Sequence, residues 1–290
     1  MKKKAIILLI TIGFITMMSA LILISVNIFN NSIEDVYKLE NQNRFNVLFM
    51  DIVSILNKKV KDINSSDNLD EFLGSYPPLY DKKSKLSISI EIEPKLGKLN
   101  INNLYYKHKV DFAMKAFLQK VFLRYEIADG DLFERLLLDT IDNDEEERGA
   151  STEIVLKDYN FKNGKIENKK HFDKIVDYYI EITHDENIKK VPWDDLIFFG
   201  KRDKKYILDC YNITPSLKAV LFGIEEGEAE LDCEALFQTG VSAFNYGKFK
   251  KGIDYPVTCF VYFDFDKERE QVKFDYDLKT HKVSNIEKYF

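Results

Sequence analysis

Hydrophobic positions along the chain change their spacing several times, and each change predicts a different element. From Ala5 to Ile33 they are nearly continuous and no charged residue intervenes. That run exceeds the roughly 20 residues needed to cross a bilayer core. Beyond it, Val36, Leu39, Phe45, Leu48, Phe49, Ile52, Ile55 and Leu56 recur at helical spacing, and neither glycine nor proline interrupts Phe14 to Ile63. The pattern predicts one long helix, apolar all round in its first half and carrying a single apolar stripe in its second. Asn64 to Asn68 and Pro77-Pro78 then predict a surface loop.

At Lys85 the period drops to two. Leu86, Ile88, Ile90 and Ile92 fall on one side, with Ser87, Ser89, Glu91 and Glu93 on the other. After a turn at Pro94 to Gly97, Lys98 to Asn102 is expected to return as the second strand of a hairpin. Helical spacing follows over Val110 to Ile127, with Phe112, Ala113, Ala116, Phe117, Val121 and Phe122 as its apolar positions. Further helices are expected from a cap at Asp131 through Leu138, from Phe172 to Ile182, from Pro192-Trp193 and from Pro215 toward Leu221, with a strand over Tyr206 to Asn212. Val257–Phe265, Val272–Leu278 and Val283–Tyr289 predict a closing antiparallel meander. A helical block between two strand sets reads as an inserted subdomain.

Composition narrows the function. Charge is interspersed and nets −6, with a pI near 5.5, which argues against a nucleic-acid partner and its basic stripe. Cys210, Cys233 and Cys259 are too few and too scattered for a disulfide framework. In an oxidising compartment one pair bridges and one thiol stays free; the alternative is three buried single cysteines. Lys2, Lys3 and Lys4 precede the apolar run, so its N-terminal side faces the cytoplasm and the rest of the chain lies outside. Three readings fit that N-terminus. A cleaved secretory signal would use Ser19-Ala20, although the apolar core is long for one. A plain signal anchor fits the length. A prepilin-type leader would be cut after Ala5, making Ile6 the new N-terminus, whereas a cut after Gly13 would fall inside the apolar helix.

Four stretches in chain order carry a family likeness. Counted from Ile6 the helix reads IILLITIGFITMMSALI, with Met18-Ser19-Ala20 inside it and Ile10 at the fifth position. Gly97 to Leu104 reads GKLNINNL, Leu138 to Ala150 reads LDTIDNDEEERGA, and Asp209 to Leu221 reads DCYNITPSLKAVL. Together they resemble the K-type minor pseudopilin of type II secretion systems, the general secretion pathway protein K family. That family's corresponding segments are an MSA at the same distance, GKLNIN-N/T-L, LLDWIDPDDEPRPGGAE and INVNTAPxEVLxAL. Ala5 departs from the usual glycine at the cut, Thr140 from the usual tryptophan and Cys210 from a hydrophobic strand residue.

The resemblance implies an α+β, pilin-like fold in which a long N-terminal transmembrane and amphipathic helix packs on an antiparallel sheet, with a mostly helical subdomain inserted between strands. On that reading residues 1–5 are a basic leader, 6–30 the transmembrane helix, 31–104 the pilin-like helix and first hairpin, 105–206 the helical insertion and 207–290 the C-terminal sheet. It also implies a single-pass protein of the bacterial inner membrane with its C-terminal domain in the periplasm. Its role would be to cap the tip of the pseudopilus with I- and J-type partners, alongside the major pseudopilin, the prepilin peptidase and the inner-membrane secretion platform. Pilins carry a glutamate at the fifth position that neutralises the neighbouring subunit's amine. A buried charge without its partner costs several kcal/mol, so Ile10 suits a subunit at the top of a filament. A membrane-anchored periplasmic adaptor or sensor that never enters a filament is the alternative.

Asp142, Asp144, Glu145, Glu146 and Glu147 form an acidic run. Clustered carboxylates suit calcium, which takes six to eight oxygen ligands, and a solvated loop is the plainer reading. The run is not an EF-hand loop, since Glu147 rather than glycine is sixth from Asp142. The resemblance implies calcium in the helical subdomain, with Asp142, Asp144 and Glu153 at its acidic positions. No catalytic constellation emerges. His108, His171, His184 and His281 lack metal-ligand spacing, there is no GxSxG, P-loop or GxGxxG, and His184-Asp185-Glu186 reads as a polar turn. Trp193 is expected to anchor the subdomain core.

Overall fold

The structure is a computed structural model that describes residues 45–82, 86–202, 207–225, 244–247, 249, 254–265 and 268–289, together with 17, 18, 25 and 43. The expectations for the leader, the Ala5–Ile6 cut and the body of the 6–30 span lie outside the described residues. Among the described residues no helix is long and apolar enough to cross a membrane. The chain forms two compact units, Met1–Asp62 and Ile63–Phe290.

In the first unit, helix α1 (residues 45–59) runs into a 3-10 turn at Val60–Asp62. Phe45, Ile52, Leu56 and Val60 are its buried positions, one narrow stripe as the spacing predicts, and the rings of Phe45 and Phe49 stack with centroids 6.1 Å apart. Ile55, expected on that stripe, is exposed.

The second unit opens with helix α2 (Ser66–Phe72), where a surface loop was expected. The Ser65 side chain accepts the Asn68 N–H at 3.3 Å, and Leu69 and Phe72 are buried. A serine cap needs only a few apolar residues behind it to hold two turns. Strand β1 (Gly74–Asp81) then includes Pro77-Pro78, which also belonged to the expected loop. It is the edge of the sheet, and the prolines sit where the register with β2 (Leu86–Pro94) slips between Tyr76 and Leu79. Prolines are tolerated there because an edge strand has one side without ladder hydrogen bonds.

The expected hairpin does not form. Strand β3 is only Leu99–Asn100, and after a 3-10 turn at Ile101–Leu104 the chain makes β4 (Tyr105–Tyr106) and β5 (Lys109–Val110). Helix α3 (Phe112–Arg124) is capped by Asp111, and helix α4 (Gly130–Ile141) by Asp129, not by Asp131 as the sequence suggested. Phe112 is 85% exposed, because it occupies the first turn on the face away from Met114, Phe117, Leu118 and Val121. Helix α5 (Lys169–Thr183) and the short α6 (Trp193–Leu196) follow, then β6 (Ile197–Phe198) and β7 (Leu208–Asp209). Strand β3 pairs with β6 in parallel, 98 residues away in register at Leu99 and Ile197, which local alternation has no means of signalling. The expected strand to Asn212 shrinks to β7 because Asp209 turns the chain, its Oδ1 accepting the Tyr211 N–H at 3.1 Å.

Helix α7 (Pro215–Phe222) starts on a Thr214 cap with proline in its first turn and ends at Gly223, φ 68°. Lys120 and Arg124 of α3 donate to the carbonyls of Leu221 and Ile224, so cations close the C-terminal end of α7. Strand β8 (Tyr246–Gly247) pairs with β7, and β9 (Pro256–Phe265), β10 (Glu268–Asp277) and β11 (Val283–Tyr289) form the expected meander. The five-stranded sheet runs β1-β2-β9-β10-β11, antiparallel throughout. Ile92, Cys259 and Phe274 stand in one cross-strand row and Ile90, Val261 and Val272 in the next, so alternation in three strands builds one apolar face. Cys210 is disulfide-bonded, whereas Cys259 is a buried free thiol whose pKa burial pushes up to about 12.

The helices pack around Phe133. Its ring meets Phe122, Phe172 and Tyr179 edge-on at 5.3–6.1 Å and Trp193 at 5.7 Å. Trp193 is buried as expected, and its Nε1 donates to the Ile188 carbonyl at 3.1 Å. The motif from Gly97 to Leu104 is the tie between these parts. Leu99, Ile101 and Leu104 enter the helical core, while Asn100 and Asn102 hold loops from far along the chain. Asn102 accepts from Ile166 N at 2.8 Å and donates to the carbonyls of Ile166 and Gly200 at 2.9 and 3.1 Å.

Candidate metal centre

Helix α4 sets the site. Its apolar positions Phe133, Leu136, Leu137 and Ile141 are solvent-excluded, and the same turns carry Asp139 and the C-cap Asp142 out of water. From Asp142 the chain loops outward through Asp144 and returns at Glu153, which stands at the N-cap position of the 3-10 turn Ile154–Leu156 without a side-chain capping bond. One carboxylate oxygen from each of Asp142, Asp144 and Glu153 lies within 4.8 Å of the others. The three residues singled out from sequence thus converge in space.

Two of the three are buried, Asp142 at 4% exposure and Glu153 at 0%. Asp142 Oδ1 and Glu153 Oε1 have no hydrogen-bond partner, nor does the buried Oδ1 of Asn163. Asn163 belongs to the same site, because its Nδ2 donates to Glu153 Oε2 at 2.8 Å and to the Asp144 carbonyl at 3.1 Å. Gly164 follows with φ +107°, and a side chain there would meet Asn143 Oδ1 at 2.5 Å, so this turn requires glycine. Its N–H donates to the Thr140 carbonyl at 2.9 Å, and Arg202 donates to the carbonyls of Gly164 and Ile141.

Buried polar atoms normally find partners, so the unpartnered oxygens of Asp142, Glu153 and Asn163 suit a positively charged ligand. The proton affinities agree. Burial pushes the Glu153 carboxyl up to about 7, with Asp139, Asp142 and Asp144 pushing the same way against the Asn163 hydrogen bond. Burial also raises Asp142, against the pull of Arg148. The donors are all oxygen, the set that hard cations prefer over zinc or copper.

Sequence reading missed Asn163, Arg148, Asp139 and Arg202. A signal for the first was present in the turn dipeptide Asn163-Gly164. The spacing also holds more than the missing glycine suggested. Counted from Asp142, Asp144 is third and Glu153 twelfth, both ligand places in an EF-hand loop, and the loop likewise starts at a helix end.

Two other polar stretches are internally paired. A cleft of about 360 Å³ between the β2, β9 and β10 strands and residues Ile197 to Phe199 holds Lys95 against Asp275 at 2.5 Å. The His184-Asp185-Glu186 stretch is structural, since Asp185 accepts from Ala128 N, Asn187 N and the Tyr179 hydroxyl.

The class of fold is α+β, with a five-stranded antiparallel sheet and a helical region between β2 and β9. A similar fold is found in a chain of the crystal structure of the GspK–GspI–GspJ complex from the enterotoxigenic Escherichia coli type 2 secretion system. The likeness covers 87% of this chain and 98% of that one at a TM-score of 0.56, with 9% sequence identity. The likeness to the K-type family drawn from four short motifs is therefore met by a likeness of fold across most of the chain. No family model matches the sequence, and no curated protein matches it.

Proposed function

We propose that the protein is a minor pseudopilin of the K type, acting without catalysis at the tip of a type II secretion pseudopilus and helping to initiate its assembly. The observation that carries this reading is the likeness of fold, over nearly nine-tenths of the chain, to a chain of the GspK–GspI–GspJ complex of a type 2 secretion system. The four motifs in chain order and Ile10 at the fifth position after the Ala5 cut support it. On this reading the chain is processed between Ala5 and Ile6 and anchored by residues 6–30 in the inner membrane with its folded part in the periplasm. It assembles with I- and J-type subunits and the major pseudopilin on the secretion platform.

The mature N-terminus tests it. Mass spectrometry of the protein from native membranes is expected to find N-methylated Ile6, and an intact Met1 or Lys2 would leave the membrane-anchored adaptor instead.

The second part of the proposal is that Asp142, Asp144, Glu153 and Asn163 hold calcium. Its support is the set of unpartnered buried oxygens at Asp142, Glu153 and Asn163. The ion would supply the charge those oxygens lack and tie residues 142–144, 153 and 163 together. A ligand at a hundredfold excess over its Kd stabilises by about 2.7 kcal/mol, which is roughly 5–10 °C in Tm for a domain of this size. Calcium added to chelator-treated protein should raise Tm by that order in differential scanning fluorimetry, and Glu153→Gln should abolish the rise.

The pH dependence has a definite sign. The Glu153 carboxyl is pushed from 4.5 up to about 7, so its contribution to metal-free stability is complete below 4.5 and lost as pH rises through 7. Calcium binds the carboxylate, so the calcium-induced rise in Tm should be larger at pH 8 than at pH 5.5. An equal rise at both would remove Glu153 from the ligand set.

A further inference from the structure

Arg148 lies inside the loop that carries the acidic residues, yet it is held more tightly than a surface arginine. Its Nη1 pairs with Asp139 Oδ1 at 2.5 Å and with Asp142 Oδ2, its backbone N–H donates to Asp139 Oδ2 at 3.1 Å, and its guanidinium covers the Tyr105 ring at 4.7 Å. Asp139 is fully buried. Three restraints on the side chain and one on its backbone N–H, two of the four to an inaccessible carboxylate, fix its position. Arg202, by contrast, reaches the site's loops only through neutral carbonyls.

Asp142 is therefore divided. Its Oδ2 faces the guanidinium, while its Oδ1 is buried without a partner at the cluster formed with Asp144 and Glu153. We propose that Arg148 is a tethered cation that shares Asp142 with the bound calcium, holding the metal-free loop closed and at the same time weakening the site's affinity for the ion. This inference rests on the calcium reading above.

The physical argument is one of charge and confinement. Asp139, Asp142, Asp144 and Glu153 bring four carboxylates into the same few turns, three of them buried, and burial of like charges at this density opens a loop unless a cation is present. Arg148 supplies one positive charge permanently, since a guanidinium does not lose its proton in a protein. An incoming ion cannot expel it, because Asp139 and Tyr105 hold it independently of Asp142. Calcium then binds beside a fixed positive charge, across a single carboxylate, where little water screens the repulsion. Its affinity is lower than the four carboxylates alone would produce. Such a site fills only where calcium is abundant, as outside the cytoplasm.

Arg148→Gln and Arg148→Lys separate charge from geometry. The full-length chain, purified in detergent and stripped with chelator, is titrated with calcium chloride by isothermal calorimetry, with Tm recorded in parallel. Arg148→Gln removes the charge, so its metal-free Tm should fall by roughly 5–15 °C while its calcium Kd tightens by about tenfold or more. Recovery of its fold on adding calcium is the same result in another form. Arg148→Lys keeps the charge and loses the fork, so its metal-free Tm should fall while its Kd stays within about threefold of the parent's.

An unchanged or weaker Kd for a folded Arg148→Gln would overturn the proposal and make Arg148 a positioning residue. A tenfold weaker Kd for Arg148→Lys would do the same, even if Arg148→Gln fails to fold. If the parent chain itself shows no calcium heat and no rise in Tm, the calcium reading falls and this inference falls with it. If the parent binds and the variants do not differ, only the inference is lost.

Discussion

Replacing Gly97 with alanine should destabilise this protein strongly. A Cβ at Gly97 would lie 1.8 Å from the carbonyl oxygen of Asn212 and 2.7 Å from its carbon. Those are backbone atoms and have no rotamer into which to retreat. The segment opposite is pinned in turn, because Asp209 N donates to the Leu96 carbonyl at 2.9 Å and Thr214 N to the Gly97 carbonyl at 3.2 Å. Asp209 also accepts from the Tyr255 hydroxyl at 2.5 Å and from Asn212 Nδ2 at 2.9 Å. The clash can be relieved only by breaking that set. Overpacking a tight site costs about 1–3 kcal/mol when side chains can shift, so with backbone as the obstacle the loss should reach roughly 3 kcal/mol or more. Thermal unfolding should show a fall in Tm of roughly 6–12 °C, and a change under 2 °C (about half a kcal/mol) would mean the two segments do not touch.

Asn102 carries the second large effect. It is fully buried, and its amide exchanges two hydrogen bonds with Ile166 while also reaching the Gly200 carbonyl. Asn102→Ala strands the buried N–H of Ile166 and opens a small void. At about 1–3 kcal/mol per stranded group, with the void added, urea unfolding should register a loss of roughly 3–5 kcal/mol. Asn102→Asp is the sharper test. Its carboxylate would face two carbonyls in a dry site, so its pKa would be raised and the protein should lose stability as pH rises through that value. At pH 7 the aspartate variant should be less stable than the alanine variant, with the gap narrowing on acidification. The opposite order would show that water reaches the site. Because Ile166 lies two residues beyond Gly164, both variants should also weaken the calcium binding proposed for Asn163.

Much of this could be read from the chain alone where burial follows a local period. The β9–β10–β11 meander, the stripe of α1, and the helices α3, α5 and α7 arise from residues whose spacing alone separates a dry face from a wet one. Asp142 and Asp144 were legible too, in an acidic run at the end of α4, whereas Glu153 was singled out only through the family resemblance. The errors have a common cause. Lys98–Asn102 looks like a hairpin strand because Leu99 and Ile101 alternate with polar residues, yet the asparagines at those polar positions are inside the protein. Pro77-Pro78 looks like a loop until the strand is known to be an edge.

The sequence by itself therefore determined the periodic helices, the closing antiparallel meander and the loop that concentrates negative charge, because each depends on residues within a turn or two of one another. Tertiary structure decided the rest. It set Gly97 against Asn212, joined Asn102 to Ile166 and Gly200, brought Asn163 to Glu153 and placed Arg148 between Asp139 and Asp142. Whether a polar side chain on such a chain is solvated, partnered or left wanting a cation depends on what distant segments exclude water from it, and no local pattern records that.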